Sequence, residues 1–466
     1  MIKNLFFIGV ALFASSLFVR TAQSAQTVSG SKRIARQVIV IGGLTVEERY
    51  RDRSGEKKHF QTTIAPLLVV KTKTKQHGNT FSLSYSPSLV MNHATGDREM
   101  DHDLTATSSG RLAPTVRYQF SERLLRTDRA FDEETITGLL AEKLRNRERY
   151  WTQQLDMSAT YEYGRNRTVT LGYGHNILRN DADALVDHDK HSPFVMLAYQ
   201  FTPKWSANGR YEYTVADFDP GDNFVQHNAD VGVSYQMTRR DALNGTYAVS
   251  RTDYDGATTD TTIHTVSTGW QRSLSASANA SGSIGYSFSE RDNGNSEQGL
   301  AYSLSVSQEI QSGSVELAGN GGFDNLYFNG VSQGLSRFWG FRGTAAKTIG
   351  KNLNGTLFAS YRQDTLLAQD PEDRQNSFSV GGGLDYVFYR DYSLNTAYTF
   401  RKLTSDQSSN DFDEHQASLG IKVPLPDNDY SFAAGYVYRK QNAALATDSL
   451  EDHEIFFRFN AEKEIF

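Results

Sequence analysis

The stretch Tyr430-Ser-Phe-Ala-Ala-Gly-Tyr-Val-Tyr438 indicates the fold most clearly, because its aromatic residues lie an even number of positions apart. Successive side chains of a β-strand point to opposite faces. Tyr430, Phe432 and Tyr436 therefore share one face, and the small or polar residues between them share the other. Similar stretches of about ten residues, separated by turn-forming residues, recur about twenty times along the chain. This repetition predicts an all-β protein, a transmembrane antiparallel up-and-down β-barrel.

The N-terminus is typical of a bacterial export signal. Lys3 supplies a positive charge, an apolar run of about fifteen residues follows, and Ala22-Gln-Ser24 offers small residues for cleavage. The run is shorter than the roughly 20 residues of a spanning helix, and no later stretch approaches that length. The sequence thus predicts a signal peptide, a short periplasmic segment and a barrel, in that order: 1–25, 26–41 and 42–466.

The composition favours a barrel in the outer membrane of a Gram-negative bacterium. Mean hydropathy is −0.52, which a barrel reaches because only every second strand residue faces lipid. The 24 tyrosines and 27 phenylalanines suit aromatic girdles at both interfaces. Outward-facing Tyr211, Tyr398 and Tyr436 are examples that would set the depth in the membrane. The expected partners are therefore outer-membrane lipid and lipopolysaccharide.

Cysteine usage and net charge narrow the function classes. The chain has no cysteine, so it cannot form a disulfide, a thiolate metal site or a c-type haem attachment of its own. A formal net charge of −6 disfavours a nucleic-acid partner. We expect no cofactor.

The connections between the alternating stretches are of two kinds. Tight turns such as 164–167 and 350–352 alternate with longer Asp-, Asn- and Gly-rich segments such as 94–101, 180–191 and 329–335. Short periplasmic turns and longer external loops are typical of outer-membrane barrels. The count of strands is about 22, within a range of 20–24. An even count places both termini in the periplasm, and the sequence indicates no separate plug domain.

The last predicted strand resembles the signal that the barrel-insertion machinery recognises, since the chain ends in an aromatic residue. Ile455, Phe457 and Phe459 share its apolar face, whereas the terminal Phe466 falls on the opposite face. A soluble β-solenoid or multi-sandwich protein is the alternative. It would not need alternating short and long connections or aromatic residues concentrated on single faces.

The strand faces opposite the aromatic residues form a polar, small and charge-mixed lumen. In the strand 377–389, for example, Ser377, Ser379 and Asp385 point inward. A barrel of about 22 strands is wide enough for an aqueous channel. Five inward arginines on the predicted strands 16, 17, 19, 21 and 22 lie at similar heights and form a candidate selectivity belt: Arg342, Arg362, Arg401, Arg439 and Arg458.

The belt permits two interpretations. Guanidinium groups along one wall would favour anionic solutes such as carboxylates, sulfates or phosphates. Alternatively, the arginines pair with acids of neighbouring strands, and the pairs create a transverse field. The candidate acids are Asp364, Asp385, Glu454 and Glu462.

The segment 130–148 is the one stretch with a helical pattern. Ile136, Leu139 and Leu140 follow helical spacing, and the acids precede the bases. By analogy with general diffusion porins, it would fold inward and narrow the channel. A short surface helix on the rim is the other interpretation.

Catalysis and metal binding have little support in the sequence. An outer-membrane enzyme would need a nucleophile with a positioned base, often serine with histidine, and no such local motif occurs. His188 and His191 lie in the sequence Asp187-His-Asp-Lys-His191, which could hold a cation. Two histidines among acids in a polar loop are more typical of a solvated surface, so we predict no metal site and no enzyme activity.

One segment of the first third resembles a known group of barrels. Thr80-Phe-Ser-Leu-Ser-Tyr-Ser-Pro-Ser-Leu89 is followed by Asp101-His-Asp-Leu-Thr-Ala-Thr107 and then by Tyr118-Gln-Phe-Ser-Glu-Arg123. These stretches resemble the exopolysaccharide-associated, porin-like barrels of the β-barrel porin 2 type. The resemblance implies passage of solutes or secreted polysaccharide across the outer membrane, with polysaccharide-export components as partners. It carries no catalytic residues.

A second resemblance is to barrels that sheathe multihaem cytochromes in electron conduits. The lack of cysteine is compatible with such a role, because the haems would belong to a partner that fills the lumen. A porin-like channel is the preferred function. The sheath remains the alternative, and a barrel enzyme is the second alternative.

Overall fold

The computed structural model confirms a closed barrel of 22 antiparallel strands. It describes 38–54, 58–72, 79–127, 149–182, 185–256, 258–328, 331–367, 372–389, 391–406, 411–425, 429–444 and 449–465. The segment 130–148 lies outside these residues. Each strand pairs with its chain neighbours, and β1 pairs with β22 from Ile41 opposite Glu464 to Arg53 opposite Asp452. This last pairing removes both sheet edges, as a spanning barrel requires.

The strands in order are β1 Val38–Arg53, β2 His59–Thr72, β3 Thr80–Asn92, β4 Arg98–Ala113, β5 Val116–Thr127, β6 Tyr150–Gly164, β7 Arg167–Asn180, β8 Asp187–Gln200, β9 Trp205–Asp219, β10 Phe224–Gln236, β11 Asp241–Tyr254, β12 Thr261–Ser273, β13 Ala278–Arg291, β14 Ser296–Ile310, β15 Gly313–Phe328, β16 Val331–Ile349, β17 Leu353–Leu366, β18 Asp373–Tyr389, β19 Tyr392–Ser405, β20 Phe412–Pro424, β21 Tyr430–Ala443 and β22 Leu450–Glu464.

The outer face of the barrel is apolar, as the alternation predicts. Leu357 and Phe457 are 68% and 63% exposed, and Leu384 is 47% exposed. Such a continuous exposed apolar face is unusual for a protein in water and suits contact with lipid. The described residues include no helix that is long and apolar enough to cross a membrane.

Most connections follow the predicted alternation of short and long, with 73–79 and 329–330 as the exceptions, and the strands extend farther than predicted. The segments 94–101, 180–191 and 329–335 shorten to 93–97, 181–186 and 329–330, because polar residues continue the pairing beyond the apolar band. The placement of His188 and His191 in a loop was therefore wrong, since both lie on β8. The first strand begins at Val38, four residues before the barrel boundary expected at 42.

The tight turns contain residues that tolerate a left-handed backbone. Asn166, Gly350 and Asp391 have φ angles of 58°, 68° and 69°. Asn, Asp and Gly adopt this region at the lowest cost and are favoured in two-residue hairpin turns. The short connections are thus fixed by local chemistry, and they set the register of the strands that they join.

Candidate functional site

An uncharged hydroxyl-rich surface covers one side of the lumen. Its residues lie on β11–β14 and alternate with outward-facing residues such as Val266, Ile284 and Leu304. Between Glu297 and Glu309, near the two ends of β14, the inward positions carry only small or hydroxyl side chains. We call this surface the hydroxyl wall: Ser250, Thr252, Thr265, Ser267, Ser281, Ser283, Ser287, Ser289, Ser303, Ser305 and Ser307.

Hydrogen bonds between strands organise the hydroxyl wall. Ser281 Oγ lies 3.0 Å from Ser305 Oγ, and Thr265 Oγ1 lies 2.7 Å from Ser287 Oγ. A hydroxyl group both donates and accepts, so each pair retains capacity for a further partner. The exposed and half-buried members of the wall, such as Ser281, Ser303 and Ser305, therefore offer neutral donors and acceptors close to the backbone to a solute in the lumen, whereas Thr252, Ser287 and Ser289 are buried.

A second surface, on the other side of the lumen, is densely charged. β12 and β1 are half of the ring of 22 strands apart, so the two surfaces face each other. Arg439 Nε donates to Glu414 Oε1 at 2.6 Å, and Arg51 Nη2 lies 2.6 Å from Asp452 Oδ2. We call this surface the charged wall: Glu47, Arg49, Arg51, Glu414, Arg439, Asp452, Glu454 and Arg458.

The closure between β22 and β1 contains most of the ion pairs of the charged wall. The Glu47 side chain is only 4% exposed, and its two oxygens bind different arginines, Arg49 at 2.7 Å and Arg458 at 2.5 Å. Arg49 also reaches Glu454 at 3.0 Å. Acids and bases thus form a connected ladder in which opposite charges balance locally.

The hairpin of β15 and β16 leans into the lumen near the rim formed by the longer connections. Asn325 Nδ2 on β15 donates to Thr252 Oγ1 on β11 at 3.1 Å, although these strands are not neighbours in the barrel. Leu335 on β16 packs with Ile263 on β12 and with Leu367. The hairpin thus covers the outer end of the hydroxyl wall and narrows the lumen there.

The predicted belt arginines lie on the predicted strands β16, β17, β19, β21 and β22. Arg362 binds Asp364, two residues away on the same strand, at 2.7 Å, and lies 4.1 Å from the Phe338 ring. Arg439 and Arg458 bind acids of neighbouring strands. Among the described residues, Arg342 has no ion pair. The role of these arginines in selectivity stays a prediction.

The predicted acids have different surroundings. Glu454 binds Arg49 and Arg51 of β1, and Asp364 binds Arg362. Asp385 and Glu462 make no ion pair with the described residues.

Five residues of the charged wall were not among those predicted from the sequence: Glu47, Arg49, Arg51, Glu414 and Asp452. Glu47, Arg49 and Arg51 are each two residues apart, which places all three on one strand face. A charged patch on the first strand could therefore have been predicted.

Tyrosine–histidine pairs recur on the outer face. In six hairpins a tyrosine hydroxyl lies 2.6–3.0 Å from a histidine Nδ1 on the next strand. These pairs are Tyr85–His102, Tyr173–His191, Tyr211–His227, Tyr247–His264, Tyr398–His415 and Tyr436–His453. In each of these pairs the histidine lies two residues nearer the longer connection than the residue opposite the tyrosine, so the six pairs occupy equivalent positions in their hairpins.

Comparisons with known proteins identify the fold alone. No family model matches the chain, and no curated protein matches it. A variant of the ferric enterobactin receptor PfeA from Pseudomonas aeruginosa in complex with enterobactin matches with a TM-score of 0.59 and 11% identity, over 91% of this chain and 81% of that chain. The siderophore receptors PirA from Pseudomonas aeruginosa and Acinetobacter baumannii have TM-scores of 0.55 and 0.54, with 10% and 8% identity, each over 91% of this chain and 80% of the other. The chain is thus similar in architecture to outer-membrane receptor barrels.

Proposed function

We propose that this barrel is an outer-membrane channel that passes hydroxyl-rich or anionic solutes, including segments of secreted polysaccharide. One observation carries the proposal: the hydroxyl wall faces the charged wall across one lumen. The similarity in architecture to the solved receptor barrels supports an outer-membrane location, and the even number of strands, which puts both termini on the same side of the membrane, supports periplasmic termini.

A sugar chain presents many hydroxyl groups and, in acidic polysaccharides, carboxylates. Ser281, Ser283 and Ser305 can exchange hydrogen bonds with sugar hydroxyls without holding any one of them strongly, since neutral hydrogen bonds contribute only about 0.5–1.5 kcal/mol net. The arginines of the charged wall can attract carboxylates, while their paired acids prevent tight capture. Weak contacts at many sites are what passage requires.

The β15–β16 hairpin argues against the alternative function, a barrel that sheathes a multihaem cytochrome. A sheath must accommodate a folded protein, and the contacts of Asn325 with Thr252 and of Leu335 with Ile263 hold this hairpin inside the lumen. A channel for extended or small solutes is compatible with such narrowing.

Single-channel recordings of the purified protein in a planar bilayer test the proposal. We expect a steady conductance, a reversal potential that reports anion preference across a salt gradient, and transient current blocks by an acidic oligosaccharide. A variant with Leu335→Asp, which frees the hairpin, is the companion measurement. If neither protein conducts, the channel function is wrong.

A further inference from the structure

The outer face of β7 and β8 brings together two histidines and one aspartate. His175 Nε2 lies 2.8 Å from Asp189 Oδ1, and His191 Nε2 lies 3.3 Å from the same oxygen. All three ligand atoms lie within 4.8 Å of one another. The register explains this cluster, because His175 is directly opposite His191 and both point outward with Asp189. Ligands at 2.0–2.1 Å around a tetrahedral zinc ion are about 3.3 Å apart, so the spacing needs only small side-chain rotations.

A second layer of contacts orients each of these side chains. The Tyr173 hydroxyl lies 2.6 Å from His191 Nδ1, which leaves Nε2 facing the cluster. Arg179 Nη2 lies 3.5 Å from Asp189 Oδ2, the oxygen that does not face the histidines. The two imidazole rings stack with centroids 4.4 Å apart, and the His175 side chain is only 8% exposed. Hydrogen bonds to the far atoms of the ligands are typical of metal sites, where they fix ring orientation and tautomer.

Comparison with the other tyrosine–histidine pairs shows which feature is particular to the β7–β8 hairpin. Tyr436 and His453 repeat the geometry of Tyr173 and His191, with a distance of 2.7 Å, and His453 Nε2 likewise has an acid, Glu451, at 3.6 Å. In that hairpin, however, Tyr438 occupies the position that His175 occupies in β7. A tyrosine–histidine pair therefore does not require a second histidine, and the β7–β8 hairpin carries His175 in addition.

We propose that His175, Asp189 and His191 form a binding site for a divalent transition metal of the zinc type. Two imidazoles and one carboxylate suit zinc, nickel or copper better than calcium or magnesium, which prefer sets of oxygen ligands. Three protein ligands leave a fourth coordination position. That position faces outward, because His191 and Asp189 are partly exposed whereas His175 is buried. The bound ion links β7 to β8 at the rim and leaves one coordination position for a ligand from outside the barrel.

Metal titration of the purified full chain without a polyhistidine tag tests this proposal. After chelator treatment in detergent, we expect one zinc ion per chain by calorimetry. Cobalt should bind at the same site and give the visible absorption of a tetrahedral complex. Millimolar calcium should not compete. His175→Gln should lower zinc affinity at least about tenfold and abolish the cobalt spectrum, and Tyr173→Phe should lower affinity about tenfold or more through the lost orienting contact.

His453→Gln is the matched control, since it removes a histidine from an equivalent pair that lacks the second imidazole. We expect this variant to bind zinc like the unaltered protein. Heat-modifiable migration of each variant on gels confirms that the barrel is folded. Equal zinc affinity in the unaltered protein and in the His175→Gln variant would overturn the proposal, as would equal losses in His175→Gln and His453→Gln.

Discussion

The hydroxyl wall and the charged wall line the same lumen, yet they achieve polarity by different means. Ser281 and Ser305 contribute short neutral side chains joined at 3.0 Å, whereas Glu47 holds two arginines at 2.5–2.7 Å. A neutral hydrogen bond is worth about 1 kcal/mol net, and a charge-assisted one about twice that. Replacing a residue of the hydroxyl wall should therefore change the free energy of unfolding little. Replacing a residue of the charged wall affects several ion pairs that share their partners.

A wide barrel can combine an open lumen with selectivity when its two sides are built differently. Short side chains on β13 and β14 leave space near the backbone. Long paired side chains on β22 and β1 are held in ion pairs at the lumen surface. Solute hydroxyls and solute charges would thus meet different sides of the channel.

The largest expected effect comes from freeing the hairpin that covers the outer end of the hydroxyl wall. Leu335 is 1% exposed, so Leu335→Asp removes a buried side chain and adds a charge, at a cost of about 3–5 kcal/mol to the docked hairpin. We expect a higher and noisier single-channel conductance, because the hairpin leaves the wall. Leu335→Met, which keeps an apolar side chain of similar volume, is the control and should conduct like the unaltered protein. Unchanged conductance in Leu335→Asp would show that the hairpin does not narrow the path.

The second effect concerns the closure of the charged wall. Glu47→Gln leaves Arg49 and Arg458 without the carboxylate that both bind. Removing one partner of a buried ion pair costs about 3–5 kcal/mol, and partial exposure of these arginines reduces the expected loss to about 2 kcal/mol. Urea unfolding in phospholipid vesicles, followed by tryptophan fluorescence, measures it. Asp385→Asn changes an inward acid that makes no ion pair with the residues that the structure describes, and it should alter the stability by less than about 0.5 kcal/mol. Equal effects of the two substitutions would remove the distinction between connected and isolated charges.

The third effect is on ion selectivity. Replacing Arg362, Arg401 and Arg439 together by alanine should reduce the preference for anions while the barrel remains folded. A single charge about 7 Å from an ion in water is worth about 0.6 kcal/mol, so we expect the permeability ratio to fall about threefold or more. Reversal potentials across a salt gradient measure the ratio. The double variant Arg439→Ala with Glu414→Ala removes a balanced pair and should leave the ratio nearly unchanged. If the triple variant keeps the original ratio, the arginine belt does not control selectivity.

Features that depend on neighbouring residues could be predicted from the sequence, whereas contacts between distant residues could not. Strand number and facing follow from a period of two and from local turn residues such as Asn166 and Asp391, so they could be predicted. Partners on the same strand, such as Arg362 and Asp364, are two residues apart and could also be predicted.

The contacts that shape the site depend on register and closure over long separations. Glu47 and Arg458 are 411 residues apart, and Asn325 and Thr252 meet although β15 and β11 are not neighbours in the barrel. The same limit applies to His175 and Asp189, since alternation does not say which residues of two strands lie opposite each other.

The smallest expected effect tests the hydroxyl wall itself. Ser281→Ala with Ser305→Ala removes a hydrogen-bonded pair at the lumen surface, where the net loss of stability should be below about 1 kcal/mol. Ion selectivity should not change, because no charge is altered. The duration of current blocks by a neutral oligosaccharide should shorten, since two sites of exchangeable hydrogen bonding are lost. Ser303→Ala, a single hydroxyl removed from the neighbouring position on β14, should give an intermediate shortening. A change in ion selectivity as large as that of the triple arginine variant would show that the two walls do not act on different properties of the solute.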